Sequence, residues 1–178
     1  MTPPTLTTER LSIVPMTMEH WEAYAAAWAN PQMTEFIGGK PRTRTESWGK
    51  FLAASALWQH MGYGYWTFLD RETGEFMGNG GLSWFERGIA GLEGVPEAGW
   101  AFVPAAWDRG LATEAISAVL KWADANIKAP EIRCIIDEEN LASKRVAAKL
   151  GFRFLQTTEE EIGLISLYAR KAGDKSAD

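Results

Sequence analysis

The segment Ala98–Glu114, AGWAFVPAAWDRGLATE, passes from an apolar strand pattern through a Pro-containing turn into a helix that starts at a glycine. That junction suits a phosphate. Gly110 lets the chain approach a ligand closely, the backbone N–H groups of Arg109 to Thr113 lack helical partners, and the helix adds its positive dipole end. A second segment, Glu139–Phe152, ENLASKRVAAKLGF, supplies Asn140 and, one helical turn on, Ser143, so that both polar side chains share a face. Asn140 is also a residue type that caps the helix it begins. Other chemistries are poorly served. Cys134 is the one cysteine and lies in the apolar run Ile132–Ile136, and only two histidines exist, so no nucleophilic Cys–His pair is visible. Gly78-Asn79-Gly80-Gly81 is followed by no Lys-Ser/Thr, which excludes a Walker-type cradle and leaves a bulge or close backbone approach. No Gly-x-Gly-x-x-Gly follows an early strand, which argues against a dinucleotide fold.

The elements that must position these residues follow from hydrophobic periodicity. Leu11, Ile13 and Pro15 alternate with polar residues in a first strand. Thr17 can cap a helix over Met18–Ala29, with Trp21, Tyr24, Ala25 and Trp28 in a stripe, ending at Asn30-Pro31. After the Gly38-Gly39-Lys40-Pro41 break, a second helix runs from Thr45 to Met61-Gly62, with Trp48, Phe51, Leu52, Ser55 and Trp58 on one face. Tyr63–Leu69 and Phe76–Trp84 read as a hairpin joined by DRETGE. A Gly-spaced stretch from Phe85 to Pro96 reads as a mobile loop. Glu97–Val103 is the next strand, and the helix Gly110–Asn126 turns Ala112, Ala115, Ile116, Val119, Leu120 and Ala123 inward. Strand Ile132–Ile136, helix Asn140–Leu150 and strands Phe152–Gln156 and Ile162–Tyr168 follow, and the tail Ala172–Asp178 is polar and reads as disordered. This alternation predicts an α/β or α+β domain around a central sheet.

Composition bounds the function. The chain has 178 residues, 46% hydrophobic and 23% charged, enough for one domain with its own core. A net charge of −5 gives no broad footprint for nucleic acid and no attraction to anionic membranes. The polar start and the lack of an apolar run of ~20 residues predict neither signal peptide nor membrane span, so a reducing cytoplasm is the default. Nine tryptophans are unusual. They are read mainly as core and groove walls.

Together the two motifs resemble the GNAT superfamily of acyl-CoA-dependent N-acetyltransferases, and most closely its branch of ribosomal-protein N-terminal acetyltransferases. The family's pyrophosphate loop, Gln/Arg-x-x-Gly-x-Gly/Ala, falls on Trp107, Asp108, Arg109, Gly110, Leu111 and Ala112, with Trp107 replacing the polar first residue. Asn-x-x-Ser falls on Asn140 and Ser143, and Lys-Leu-Gly-Phe on Lys149–Phe152. The resemblance implies an acetyltransferase domain over residues 8–170, with 1–7 and 171–178 as flexible termini. It implies a mixed sheet of about seven strands with about four helices, split by a V-shaped cleft between the fourth and fifth strands. The donor is then acetyl-CoA, with no metal. Its pyrophosphate is expected on the loop from Trp107 to Thr113, with Arg109 and Lys144 near the phosphates. Its pantetheine arm is expected on the backbone of Phe102 and Val103 and on Asn140 and Ser143.

The implied reaction is direct attack of an amine on the acetyl thioester, which requires proton removal, oxyanion stabilisation and a proton for the thiolate. Glu97, opening the splayed strand, is the first candidate base and His60 the second. Ser143 and Tyr168 are candidate acids. The acceptor is a primary amine, either a peptide or protein N-terminus or a small molecule, and the net negative charge favours a cationic one. A catalytically silent acyl-CoA sensor and a Trp-faced interaction domain are the rival readings. Self-association as a homodimer would use the sheet edge or the Trp-rich helices.

Overall fold

The computed structural model describes residues 3–174. Residues 175–178 of the expected polar tail lie outside the described residues. Among the described residues, eight strands form one sheet in the order β1-β2-β3-β4-β5-β6-β8-β7. They are β1 (Leu6–Thr7), β2 (Leu11–Pro15), β3 (Tyr65–Asp70), β4 (Phe76–Ser83), β5 (Glu97–Phe102), β6 (Glu131–Asp137), β7 (Arg153–Glu160) and β8 (Gly163–Lys171). Five helices accompany them: α1 (Trp21–Trp28), α2 (Pro31–Thr34), α3 (Arg44–Met61), α4 (Leu111–Asn126) and α5 (Leu141–Lys149).

Every neighbouring pair in the sheet is antiparallel except β5 and β6. Those two run parallel and share a single register pair, Glu97↔Arg133. Beyond that point they separate. The expected split between the fourth and fifth strands is therefore present, displaced by one in number because β1 adds an edge strand. Leu6 and Thr7, placed by sequence in a flexible terminus, pair with Ile13 and Ser12.

The glycine cluster in β4 is explained by close backbone approach. A side chain on Gly80 would meet the Gly99 carbonyl, and one on Gly81 the Gly64 carbonyl. On one side of the sheet, α4 buries Leu111, Ala115, Ile116, Val119, Leu120 and Ala123 against the main core, as its pattern predicted apart from a half-buried Ala112. Cys134 is fully enclosed there. A second core joins α1 and α3 through Tyr24, Trp28 and Phe51.

Three local readings change. The helix expected from Met18 is a 3-10 turn over Met18–His20 before α1, tightened by reciprocal bonding between Thr17 and His20. Asn30-Pro31 ends α1 but restarts the chain as α2, because the Asn30 side chain accepts from Gln32 N–H at 2.8 Å. In α3 the buried face is Ser47, Phe51, Ala54, Leu57 and Trp58, so Trp48 and Leu52 are exposed. Small Ser47 and Ala54, invisible to a hydrophobicity count, face the core because α1 packs closely there.

The 85–96 stretch, read as mobile, is seated. Its Ile89 and Leu92 pack on Ile165 and Leu167, the Arg133 guanidinium donates to the Gly91 carbonyl, and a side chain on Gly91 would collide with Leu167.

Candidate active site

The split between β5 and β6 opens into a cavity of ≈ 540 Å³. One end is walled by Trp100, Ile136, Asn140 and Ser143 and the other by Tyr24, Trp28, Arg42 and Lys50, with Glu97 and Tyr65 also lining it.

Backbone alternation decides which groups of β5 face the gap. Val103 N–H donates to Met77 carbonyl at 2.9 Å, and Arg133 N–H donates to Pro96 carbonyl at 3.0 Å. Odd positions therefore address β4 and even positions address the β6 side. The expectation of Phe102 and Val103 as free partners needs correction. Val103 N–H is committed to β4, and the Phe102 carbonyl accepts the Trp107 indole N–H at 2.8 Å. The Phe102 ring stacks on Phe68 at 5.1 Å in the core. Trp100 and the Phe102 N–H are left facing the gap.

The turn into α4 has left-handed backbone at Asp108 (φ 55) and Gly110 (φ 75). Gly110 is the N-cap and makes no side-chain cap bond, so the first amides of α4, on Leu111, Ala112 and Thr113, have no intrahelical partner. Leu111 is buried and anchors the turn, while Trp107 is half out and ties it to β5. A carboxylate in the first helical turn would repel an anion, but Glu114 is occupied. It accepts from Thr8 Oγ1 at 2.6 Å and Arg10 N at 2.8 Å, and it pairs with the Arg10 guanidinium at 2.7 Å. Arg10 also donates to the Arg109 carbonyl at 2.7 Å, bracing the turn from β2's side. This arrangement fits a diphosphate. The Arg109 side chain turns away, toward the Ala105 carbonyl at 3.4 Å and Asp70 at 3.9 Å. Lys144 pairs with Glu138 at 2.9 Å. Neither cation stands free at the turn.

Asn140 caps α5 by accepting from Ser143 N–H at 3.0 Å, which orients both side chains on the cavity wall. Glu97 is 5% exposed. Burial pushes its carboxyl above the usual range, and the Arg87 guanidinium, donating from Nε at 2.8 Å, pulls it back only partly. Tyr65 stands beside it, and the phenol is driven well up by burial and by the Glu97 charge. A side chain on Gly99 would overlap that hydroxyl, so Gly99 makes room for it.

Two expected residues do not join this group. His60 is exposed in the last turn of α3 and does not line the cavity. Tyr168 is packed in the main core, edge-on to Phe154 at 5.7 Å. Period-2 alternation sets Tyr168 on the face opposite Leu167, toward α4 and α5. Conversely, sequence reasoning missed Tyr65, Arg87, Arg42 and Lys50. Nothing in their spacing marked them, since they converge from β3, two loops and α3.

Comparison with known proteins gives a consistent result. The family described as "Acetyltransferase (GNAT) domain" matches residues 10–153. The Bacillus subtilis (strain 168) protein YkkB is 31% identical over 142 residues, covering 79% of this chain and 78% of its own. The uncharacterized N-acetyltransferase YoaA of the same organism is 27% identical over 151 residues, covering 84% and 83%. Among solved structures, an acetyltransferase from Agrobacterium tumefaciens superposes with TM-score 0.83 at 28% identity, covering 95% of each chain. A RimL ribosomal L7/L12 α-N-protein acetyltransferase in complex with coenzyme A shares the fold, with TM-score 0.78 at 13% identity over 94% of this chain and 98% of that one.

Proposed function

From a chain that belongs to the GNAT acetyltransferase family, we propose an enzyme that moves the acetyl group of acetyl-CoA to a primary amine by direct attack in a ternary complex. The observation that carries this reading is the cavity at the β5–β6 split, with the buried Glu97 carboxylate on its wall and the bare start of α4 following the far end of β5.

The donor's diphosphate is held by the amides of Leu111, Ala112 and Thr113 and by the α4 dipole. Its pantetheine amides pair with the gap-facing backbone at Trp100 and Phe102, in the manner of an added strand, and Asn140 presents its side-chain NH₂ to the same arm. These contacts fix the thioester between the two ends of the cavity and so turn attack into a positioned, intramolecular-like step.

The acceptor amine arrives protonated. Glu97, whose carboxyl is held above the ordinary range by burial, takes one proton from the ammonium, directly or through water, and frees the nitrogen lone pair. The nitrogen bonds to the thioester carbonyl carbon and gives up its second proton to solvent, and the tetrahedral intermediate then breaks the carbon–sulfur bond to leave the neutral amide. Ser143 lies on the cavity wall where a hydroxyl can protonate the departing thiolate, regaining its proton from solvent. No acyl-enzyme is formed. Cys134, enclosed and with its thiol pushed well up by burial, is unsuited to one.

A protein N-terminus is one candidate acceptor, and the name of the RimL fold neighbour, an α-N-protein acetyltransferase, supports it. A small amine is the other. Calorimetric titration with acetyl-CoA, with CoA and NADH as controls, tests the donor site. Thiol release with a panel of peptides and small amines tests transfer. CoA-selective binding with amine-dependent thiol release is expected. Binding without release for any amine would favour a silent acyl-CoA module, and no binding would reduce the likeness to fold alone.

A further inference from the structure

The end of the cavity away from Asn140 carries an unbalanced positive charge. Arg42 lies flat against the Trp28 ring, its guanidinium carbon 3.5 Å from the ring centroid. Trp28 is itself fixed, because its indole N–H donates to the buried Asn79 Oδ1 at 3.1 Å. The Arg42 N–H donates to the Trp28 carbonyl at 2.9 Å, which clamps the loop onto α1. The cation is thus positioned before any ligand arrives.

Among the described residues, no carboxylate lies within ion-pair distance of Arg42 or Lys50. Glu46, which bears on both cations, spends Oε2 on the Thr43 N–H and hydroxyl at 2.7 and 2.9 Å, capping α3. Glu86 accepts from the Trp84 indole at 2.9 Å, and Glu97 is matched by Arg87. Lys50 feels both arginines, and their repulsion adds to burial in lowering its ammonium pKa. Glu46 offsets this repulsion only in part, and an anion would relieve the rest.

We infer that the acceptor carries an oxyanion, a carboxylate or a phosphate monoester, which docks on Arg42 and Lys50 while its amine points past Tyr65 toward Glu97. The planar Arg42 fork matches either group, and Lys50 adds a point charge. Tyr65 lines the same cavity as Arg42 and Glu97, close enough for its phenol to bear on both. The net charge of −5 pointed to a cationic acceptor, but that charge is spread over the surface, whereas at this end of the cavity Arg42 and Lys50 stand together with no carboxylate at ion-pair distance among the described residues. The inference rests on the acetyl-transfer reading for the amine end only.

The test is calorimetry on the full chain with matched pairs: O-phosphoethanolamine against ethanolamine, 4-aminobutyrate against butylamine, and the dipeptide Ala-Asp against Ala-Asn. The anionic member of at least one pair is expected to bind tenfold or more tightly than its neutral partner. Which pair responds separates phosphate from carboxylate. Arg42→Gln should bring that pair to parity. Lys50→Gln, at a cavity-lining position of α3 outside the hydrophobic cores, should weaken the anionic member several-fold. Equal binding within every pair, or a preference that survives both substitutions, overturns the inference. Acetyl-CoA affinity measured on the same samples reports separately on the donor site, so failure of the acetyl-transfer reading and failure of this one give different results.

Discussion

Arg87 Nε donates to Glu97 Oε2 at 2.8 Å, tying the carboxylate that opens β5 to the loop ten positions earlier. The guanidinium charge favours the carboxylate anion, and burial favours the neutral acid. Removing the cation leaves burial unopposed, so in Arg87→Gln the Glu97 pKa rises further. The rising limb of kcat/KM against pH, which reports the free enzyme's base, is expected to shift toward alkaline pH. An unmoved limb would separate Arg87 from the base, or Glu97 from the role.

Glu97→Gln keeps the shape of the side chain and removes the proton acceptor. A general base contributes about 100-fold or more. A fall of that size in kcat, with acetyl-CoA affinity unchanged by calorimetry, is expected. Retention of kcat where chemistry is rate-limiting would remove Glu97 from the mechanism.

Gly110→Glu places a charged side chain at a left-handed backbone position (φ 75) in front of the bare amides of α4. Loss of acetyl-CoA binding with an unchanged far-ultraviolet circular dichroism spectrum is expected. Binding retained at wild-type affinity would place the diphosphate elsewhere.

Arg170, almost wholly buried on β8, holds Asp124 of α4 through two bonds at 2.9 and 2.8 Å. The arginine keeps the Asp124 carboxyl below its usual range. A depressed folded-state pKa contributes stability above the unfolded value of about 3.9, and that stability is lost as pH falls through the folded value. Asp124→Asn is expected to cost about 1–2 kcal/mol at pH 7, less than a fully buried pair because Asp124 is partly solvated. Urea unfolding at pH 7 and pH 3 should show the gap between variant and wild type narrowing in acid. A gap that stays constant would mean packing, not charge, is lost.

The proposed donor half of the site was legible in the sequence because it is built from contiguous chain. Gly110 followed by the α4 pattern, and Asn140 with Ser143 one turn later, declare a helix start and a cap from their own residue types. Periodicity likewise located all the main strands, the long helices and the enclosed Cys134. Local patterns also hid what competition resolved. Trp48 and Leu52 were as apolar as their neighbours, yet α3 turned the small Ser47 and Ala54 inward to let α1 approach.

In the proposed acceptor half only Glu97 was named from the sequence, through the family resemblance. Tyr65, Arg87, Arg42 and Lys50 come from separate elements, and no spacing in the sequence records that the fold brings them to the cavity that Glu97 lines. The same holds for His60 and Tyr168, whose types suited proton transfer until the fold placed one in solvent and the other in the core. Backbone pairing, too, depends on which strand lies alongside: Val103 looked free until the register of β4 claimed its N–H. Residue type and local spacing therefore determined which chemistry this protein could attempt. The register of the sheet and the single Glu97↔Arg133 contact between β5 and β6 determined where it could happen, because side-chain convergence is a property of strand pairing and not of order along the chain.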